Sequence, residues 1–361
     1  MNHPRLRRAA VLLIAASALP AVVSAQGQGP NQSLVMDLPL ASQHAVVLQR
    51  VGLTDLKIDY HRPLVGGRKI WGELVPWGQV WRAGANENTV IEFSDPVTVE
   101  GQALPKGAYG LHMLPTEGSW TVVFSKNATS WGSFSYDEKE DALRVTVKPA
   151  PAEMHEALTY DFDDLKPDSV VVTMRWEKLA VPFKVAVNVP EITLASIRDQ
   201  LRSVPGLTWA GWNDAAIYCL ENKTNYEEAA KWVDTSIQNE ERFENLQTKS
   251  KLLRATGKGA EADAAMQQAL EKANAGQLHN YGRQLLGEKK TAEAVKIFQT
   301  NARKNPTVWF VHVGLARGLS AMGNFKDASK SMKEALARAP ESQKKYLQGL
   351  VDKLEAGKDI N

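Results

Sequence analysis

The pattern of apolar residues changes at Pro190, and this change constrains the fold more than any other feature of the chain. Before it, short apolar or alternating runs are separated by glycine and other turn residues, which is typical of antiparallel strands. After it, alanines recur at Ala229, Ala262, Ala294 and Ala328, at steps of 33, 32 and 34 residues. A period near 34 residues predicts stacked helical hairpins. We therefore expect an α+β multidomain chain, with a β part followed by an all-α part.

The β part contains about nine or ten predicted strands and no predicted helix. The clearest hairpin pairs residues 108–114 with 120–125, and it places His112 on the face opposite Leu111 and Met113. Later strands are predicted at 142–148, 157–162, 169–177 and 181–189. Many short strands with regular turn signals favour an antiparallel β-sandwich or jelly-roll-like domain over βαβ units.

These patterns give a domain organisation for the whole chain. The predicted segments are a signal peptide (1–25), a flexible segment (26–32), a β-sandwich domain (33–190), a linker with the first helix (191–210), four helical hairpins (211–340), and a capping helix with a tail (341–361).

The N-terminus has the three parts of a secretory signal peptide. Arg5, Arg7 and Arg8 precede an apolar stretch, and small residues around Ala25 form a cleavage site. The apolar stretch is short for a membrane span, which needs about 20 residues. We expect a periplasmic or secreted protein without a stable membrane span after cleavage; an uncleaved N-terminal anchor is the alternative.

Composition excludes several classes of function. The 43 basic and 41 acidic residues give a net charge of +2, so no global field attracts nucleic acid. None of the common catalytic or cofactor-binding motifs is present, and no cofactor is predicted. Cys219 is the single cysteine, and its aliphatic helical setting predicts a small buried side chain rather than a nucleophile.

Residues 59–93 combine aromatic, basic and glycine residues without a sustained helix or strand period. The glycines permit tight turns, and Trp71, Trp77 and Trp81 either close one end of the sandwich or line a ligand cleft. We favour the packing role for the tryptophans. The strongest ligand-contact candidates are Arg82, Asn86 and Glu87, in a loop that leads into a strand. The full candidate set for ligand binding is Arg62, Arg68, Trp81, Arg82, Asn86, Glu87 and His112.

An enzymatic interpretation is the alternative for the same region. Glu87 and His112 are candidates for a general acid and base in a hydrolase, with or without the assistance of a metal. The histidines His44, His61, His112 and His155 all lie in the β part, with Asp59 and Glu87 available. No tight ligand spacing links these residues, so no metal site is predicted.

The helical half resembles tetratricopeptide repeats in its last two units. Gly282 with Ala294, Phe298 and Pro306 matches the family's positions on the two helices and the terminator, as does Ala316 with Ala328, Ala335 and Pro340. The first two units are degenerate. The resemblance implies an all-α tetratricopeptide-like array whose concave surface docks a protein or peptide partner.

The β half resembles a bacterial family of secreted domains of unknown function, DUF2911. The resemblance rests on residues 66–87, 104–111 and 131–137, and it extends over about 34–189. It implies an extracytoplasmic β domain often found with repeat helices, and it carries no established activity or ligand.

Three functional hypotheses follow. The first is an extracytoplasmic binding and scaffolding protein, whose β domain recognises an envelope glycan or small polar ligand and whose repeats dock a protein partner. The second is a hydrolase acting on an envelope or polymeric substrate through Glu87 or His112. In the third, the β domain is only a scaffold beside the repeats.

Overall fold

The computed structural model describes residues 39–361. The chain divides into two compact units, with the boundary between Ile192 and Thr193. The predicted signal peptide (1–25) and flexible segment (26–32) lie outside the described residues.

The first unit is an antiparallel β-sandwich. Its ten strands are β1 (Gln43–Val51), β2 (Thr54–Arg62), β3 (Thr89–Phe93), β4 (Val97–Val99), β5 (Gln102–Leu104), β6 (Gly107–Leu114), β7 (Trp120–Ser125), β8 (Asp141–Val147), β9 (Ala150–Lys166) and β10 (Ser169–Val187). One sheet has the order β1-β2-β3-β6-β7-β8 and the other the order β5-β4-β10-β9. Side chains from both sheets meet in one core, as where the Phe124 ring on β7 lies 5.8 Å from that of Phe183 on β10.

Alternation along the strands decides which side chains enter this core. On β2, Leu56, Ile58 and Tyr60 are buried, while Lys57 and the other intervening residues lie on the outer face. The predicted hairpin is confirmed as β6 and β7, which pair with Leu111 opposite Phe124. As predicted for this hairpin, Leu111 and Met113 face the core and His112 lies on the opposite face of the strand.

Strands β9 and β10 differ from the prediction. The predicted strands 169–177 and 181–189 form one continuous strand, and the predicted strand 157–162 extends to 17 residues. The pairing register shifts on both sides of Glu177, whose φ is 56°, so a bulge occupies the position where the first predicted strand ends. Pro182 lies between the segment of β10 that pairs with β9 and the segment that pairs with β4, so its missing N–H removes no ladder bond.

A long excursion, residues 63–88, connects β2 to β3. It contains no regular strand, and isolated bridges join Leu64 to Ala157 and Trp81 to Met113. Next to the first bridge, the Val65 N–H donates to the Glu156 carbonyl at 2.8 Å. The excursion is thereby attached to both sheets.

The second unit is an array of helices. Helix α1 (Val189–Gln200) leads into it, and the remaining helices are α2 (Trp209–Glu221), α3 (Tyr226–Asn239), α4 (Phe243–Ala255), α5 (Gly259–Lys272), α6 (Ala275–Gly287), α7 (Thr291–Lys304), α8 (Trp309–Ala321), α9 (Phe325–Arg338) and α10 (Glu341–Glu355). Pro190 lies in the first turn of α1, where its missing N–H has no helical partner to lose, so it opens this helix.

Consecutive helices pair as antiparallel hairpins, with α2 on α3, α4 on α5, α6 on α7, and α8 on α9. The recurring alanines are fully buried where the helices cross. Gly282 and Gly314 have the same role, because a Cβ at either position would lie under 3 Å from the Phe298 ring. Small residues at the crossings thus explain the spacing, and the predicted fold, a β-sandwich followed by a tetratricopeptide-like array, is confirmed.

None of the helices within residues 39–361 is long and apolar enough to cross a membrane.

Candidate functional site

Four tryptophans anchor the excursion to the sandwich core. The ring of Trp71 lies 4.9 Å from Trp120 and 5.7 Å from Trp176, both edge-on. Trp81 stacks nearly parallel on Trp176 at 5.8 Å. Trp81, one of the predicted ligand contacts, is therefore half-buried in this tryptophan cluster.

Residues 82–88, at the end of the excursion, contain a concentration of buried polar atoms without hydrogen-bond partners. Arg82 Nε, Asn86 Nδ2, Glu87 Oε2 and Asn88 Oδ1 account for four of the eleven such side-chain atoms found in residues 39–361. Buried polar atoms are normally paired, so an unpaired group signals strain, function, or a missing water or ion. The left-handed backbone at Ala83 (φ 51°) and Asn86 (φ 58°) is also strained. We call residues 82–88 the exit segment.

Arg82 links the exit segment to an exposed pair of aromatic rings. Its guanidinium lies over the Trp131 ring, 5.8 Å from the centroid. Trp131 is 57% exposed and stacks at 5.9 Å on Phe134, which is 83% exposed. Burial lowers the pKa of Arg82, although the group remains cationic because an arginine titrates far above neutrality. A large apolar surface thus lies beside a half-buried cation.

His112 lies beneath the segment formed by residues 126–140, which we call the covering segment. It is 3% exposed, and one ring nitrogen, Nδ1, lies 2.9 Å from the Ser133 hydroxyl. The Tyr136 ring is 5.2 Å away. Burial lowers the pKa of His112 to about 4, so the imidazole is neutral at pH 7.

Asn88 lies next to His112 under the same cover. Its backbone N–H donates to the Ser130 carbonyl at 3.1 Å, and its side-chain amide donates to the Asn127 carbonyl at 3.2 Å. The gap that Asn88 and His112 line beneath this segment is too narrow to hold a water molecule. The covering segment therefore closes directly onto the polar groups of the sheet.

A tyrosine–carboxylate pair holds the far end of the covering segment. The Tyr136 hydroxyl donates to Asp141 Oδ2 at 2.6 Å, and Asp141 Oδ1 is buried without a partner. Burial raises the pKa of Asp141, and it raises that of Tyr136 well above the usual range.

The structure pairs Glu87 with His61 instead of with His112. Glu87 Oε2 lies 3.3 Å from His61 Nδ1, a contact within ion-pair range that lacks hydrogen-bond geometry. Burial lowers the pKa of His61, while Glu87 opposes that effect. Across β1 and β2, His44 lies 5.2 Å from His61 ring to ring and contacts Asp59 at 2.6 Å. The candidate acid and base from the sequence thus belong to separate clusters.

His155, which was also considered as a metal ligand, lies on β9 in the sheet that does not contain His112. In the strand register it is opposite Glu177 of β10. No group of histidine, cysteine and acidic side chains within residues 39–361 meets the geometry of a metal site.

Arg62, the last residue of β2, and Arg68, near the start of the excursion, both donate to backbone carbonyls. Arg62 Nε donates to the Leu158 carbonyl at 2.9 Å, and Arg68 donates to the carbonyls of Val65 and Leu64. The structure gives both arginines local partners, while Arg82 Nε has none.

Sequence reasoning missed Asn88, Ser133 and Tyr136. Alternation along β3 and β6 places Asn88 on the same outer face as His112, and this could have been inferred from the two strands. The position of the covering segment could not have been inferred, because its sequence has no helix or strand period that predicts where it folds.

Lowering the pH from 7.5 to 5 is expected to destabilise the β domain by about 2 kcal/mol through His112 alone. Its folded pKa of about 4 lies below the ordinary value of 6.5, so between these values the unfolded chain binds a proton that the folded chain does not. The contribution is complete above pH 6.5 and is lost as the pH falls towards 4. Urea unfolding at both pH values should show a smaller pH-dependent loss in His112→Asn, by about that amount. An unchanged pH dependence in the variant would contradict the assignment.

The helical half is similar to solved structures of low sequence identity. The tetratricopeptide protein YrrB, described as having an unusual peptide-binding site, is 12% identical over 45% of this chain and 84% of its own, with a TM-score of 0.28. The C-terminal part of a repeat-containing protein from Cytophaga hutchinsonii is 14% identical over 45% and 64%, with a TM-score of 0.32. MamA from Desulfovibrio magneticus RS-1 is 16% identical over 40% and 86%, with a TM-score of 0.26. We therefore describe the array from its own helix pairing and repeat spacing.

No curated protein matches the sequence. Residues 42–185, from β1 into β10, match the model of a family described as "Protein of unknown function (DUF2911)". The resemblance stated from the sequence is confirmed over these residues, which lie in the β-sandwich and are followed by tetratricopeptide-like helical hairpins.

Proposed function

We propose that this chain is an extracytoplasmic binding and scaffolding protein. In this proposal the β domain binds a small polar ligand, an envelope glycan, at the exit segment, and the helical array docks a protein partner. The observation that carries the ligand site is the group of four buried polar atoms without hydrogen-bond partners in residues 82–88, of which Glu87 Oε2 has only the 3.3 Å contact with His61. The extracytoplasmic location rests on the signal-like sequence of residues 1–25 alone.

The chemistry of the four atoms favours a hydroxylated ligand. Arg82 Nε and Asn86 Nδ2 are donors, while Glu87 Oε2 and Asn88 Oδ1 are acceptors. A simple anion would satisfy only the donors, whereas sugar hydroxyls both donate and accept. The exposed rings of Trp131 and Phe134 supply the apolar surface on which a sugar ring can stack. An oligosaccharide therefore matches the site better than an inorganic anion.

Ligand entry in this proposal requires the covering segment to move. The four atoms are shielded from solvent, and Trp131, which lies on Arg82, belongs to that segment. Displacing it would uncover Arg82 and Asn88 together, and the ligand's hydroxyls would then replace the contacts with Ser130 and Asn127. Binding should accordingly change the environment of Trp131.

The helical array supports the second half of the proposal. Its hairpins stack in pairs through their first helices, α2 on α4 and α6 on α8, and we call these four the inner helices. Arrays of stacked helical hairpins generally bind peptides and proteins on their concave surface.

In the hydrolase alternative, Glu87 and His61 are the candidate acid–base pair. The two side chains are 3.3 Å apart and partly buried, so a small adjustment of either side chain would bring them into the hydrogen-bond geometry that proton transfer requires. His112, in contrast, is covered and neutral, so it contacts no substrate unless the covering segment opens.

We test the ligand site by titrating the full chain with tri-N-acetylchitotriose and following tryptophan fluorescence. Asn86→Gly is the sharpest variant, because glycine accepts the left-handed backbone and only the side-chain amide is removed. We expect it to weaken binding about 10-fold, as the loss of one buried hydrogen bond predicts. Arg82→Ala should weaken binding further, and Lys57→Ala, on the outer face of β2, serves as the control.

If Asn86→Gly and the unaltered chain bind the oligosaccharide with equal affinity, the ligand site does not lie in the exit segment. Product analysis of the same mixtures tests the alternative. Cleavage of the oligosaccharide that is abolished by Glu87→Gln would replace the binding role with the hydrolase.

A further inference from the structure

The segment after α10, residues 357–361, folds back onto α8. Gly357 adopts a φ of 67°, and its N–H donates to the Leu354 carbonyl at 3.0 Å, which ends the helix and reverses the chain. The residues that follow Gly357 lie along α8. We call residues 357–361 the returning segment.

The contacts of the returning segment resemble those of a bound peptide. The Ser320 hydroxyl donates to Asp359 Oδ1 at 2.6 Å and accepts from the Ile360 N–H at 3.1 Å. Arg317 Nη1 donates to the Ile360 carbonyl at 2.6 Å. The Asn361 side chain donates to the Arg317 carbonyl at 3.1 Å. Two side chains of α8 thus bind both the backbone and the acidic side chain of an Asp-Ile unit.

Ile360 supplies the apolar part of this interaction. It is 6% exposed and packs with Leu347, Leu350 and Leu354 of α10. Helix α6 packs closely on α8, whereas α8 and α10 approach each other less closely. The isoleucine side chain therefore occupies space that another apolar side chain of similar size could fill.

Arg317 is the last of three basic residues at equivalent positions of the inner helices. Lys251, Arg283 and Arg317 each precede a repeat alanine by eleven residues, and the first two are exposed. Burial lowers the pKa of His279, and the charges of Arg283 and Arg317 lower it further, so both arginines lie on the same side of the array as this histidine. The returning segment reaches only Arg317, at one end of this basic row.

We propose that this face of α8 is a docking site for an extended peptide segment of a partner protein, in which an acidic residue is followed by a branched aliphatic residue. The returning segment is its internal competitor. A partner displaces Asp359 and Ile360, places its own acidic–aliphatic pair on Ser320 and Arg317, and extends further acidic residues along the row towards Arg283 and Lys251. This inference rests on the proposed docking role of the array, and it specifies the site and the chemistry of the partner.

The test uses the full chain and a fluorescein-labelled peptide of sequence Gly-Lys-Asp-Ile-Asn, measured by fluorescence anisotropy. Ile360→Asp should expel the returning segment, since a carboxylate cannot enter the apolar space that the isoleucine fills. We expect this variant to bind the peptide at least 10-fold more tightly than the unaltered chain. Adding Arg317→Ala should abolish the gain, and a peptide with Asn in place of Asp should bind more weakly. If Ile360→Asp loses helical circular dichroism, Ile360→Ala takes its place.

Equal binding of the peptide by the unaltered chain and the Ile360 variant would overturn the proposal, as would binding that Arg317→Ala leaves intact. A labelled deca-glutamate peptide is measured in parallel. It distinguishes a failure of the proposed site on α8 from a failure of the proposed docking role of the whole array. Deca-glutamate binding that is weakened by Arg283→Ala but unaffected by Arg317→Ala would leave a docking surface on the array and refute the site on α8.

Discussion

Replacing Trp176 with alanine is expected to destabilise the β domain by about 3–5 kcal/mol, the range for removing a large buried aromatic side chain. Trp176 is 1% exposed, and both Trp71 and Trp81 pack on its ring. The variant therefore creates a cavity and removes the surface to which the excursion is anchored. Urea unfolding followed by tryptophan fluorescence measures the change.

Trp131→Ala is the matched control for this prediction. It removes the same side chain from an exposed position, where substitutions usually change stability by less than about 0.5 kcal/mol. A loss of stability in Trp131→Ala as large as that in Trp176→Ala would show that the tryptophan cluster does not anchor the excursion.

Phe298→Ala is expected to have a similarly large effect in the helical array, about 3–5 kcal/mol. Its ring is fully buried and fits closely against Gly282, Gly314 and Gly318, which belong to α6 and α8. Because three glycines line one side of the space, no side chain on that side can fill the cavity. Thermal unfolding followed by the helical circular dichroism signal measures the loss.

Met322→Ala, at an exposed position after α8, provides the comparison in the same unit. The expected difference between the two variants is several kcal/mol. A small effect for Phe298→Ala would mean that the hairpins are held together mainly by contacts outside the glycine-lined crossing.

The sequence predicts the parts of the fold that repeat. Alternation on β2, β6 and β7 identifies the core face because a strand turns each successive side chain to the opposite side. The 33-residue spacing identifies the hairpins because each crossing needs a small residue at the same position. Where the pattern lapses, as at Glu177 in β10, prediction divided one bulged strand into two.

The sequence identifies residues that form the candidate site, but it does not predict which partners these residues contact. Arg82, Asn86 and Glu87 stand out in the sequence because polar residues directly precede a strand. Which partners they meet depends on the covering segment, whose path is set by long-range contacts such as that between Asn88 and Ser130. For the same reason the sequence placed Glu87 with His112, whereas the structure places it with His61.

The bridge between Leu64 and Ala157 has a consequence for solubility. β9 is the last strand of its sheet, and an open strand edge is a template for pairing with another chain. The start of the excursion covers part of this edge, through Val65 on Glu156 and Leu158 on Pro63. We therefore expect a variant that loosens the excursion to uncover this strand edge and to self-associate more readily than the unaltered chain.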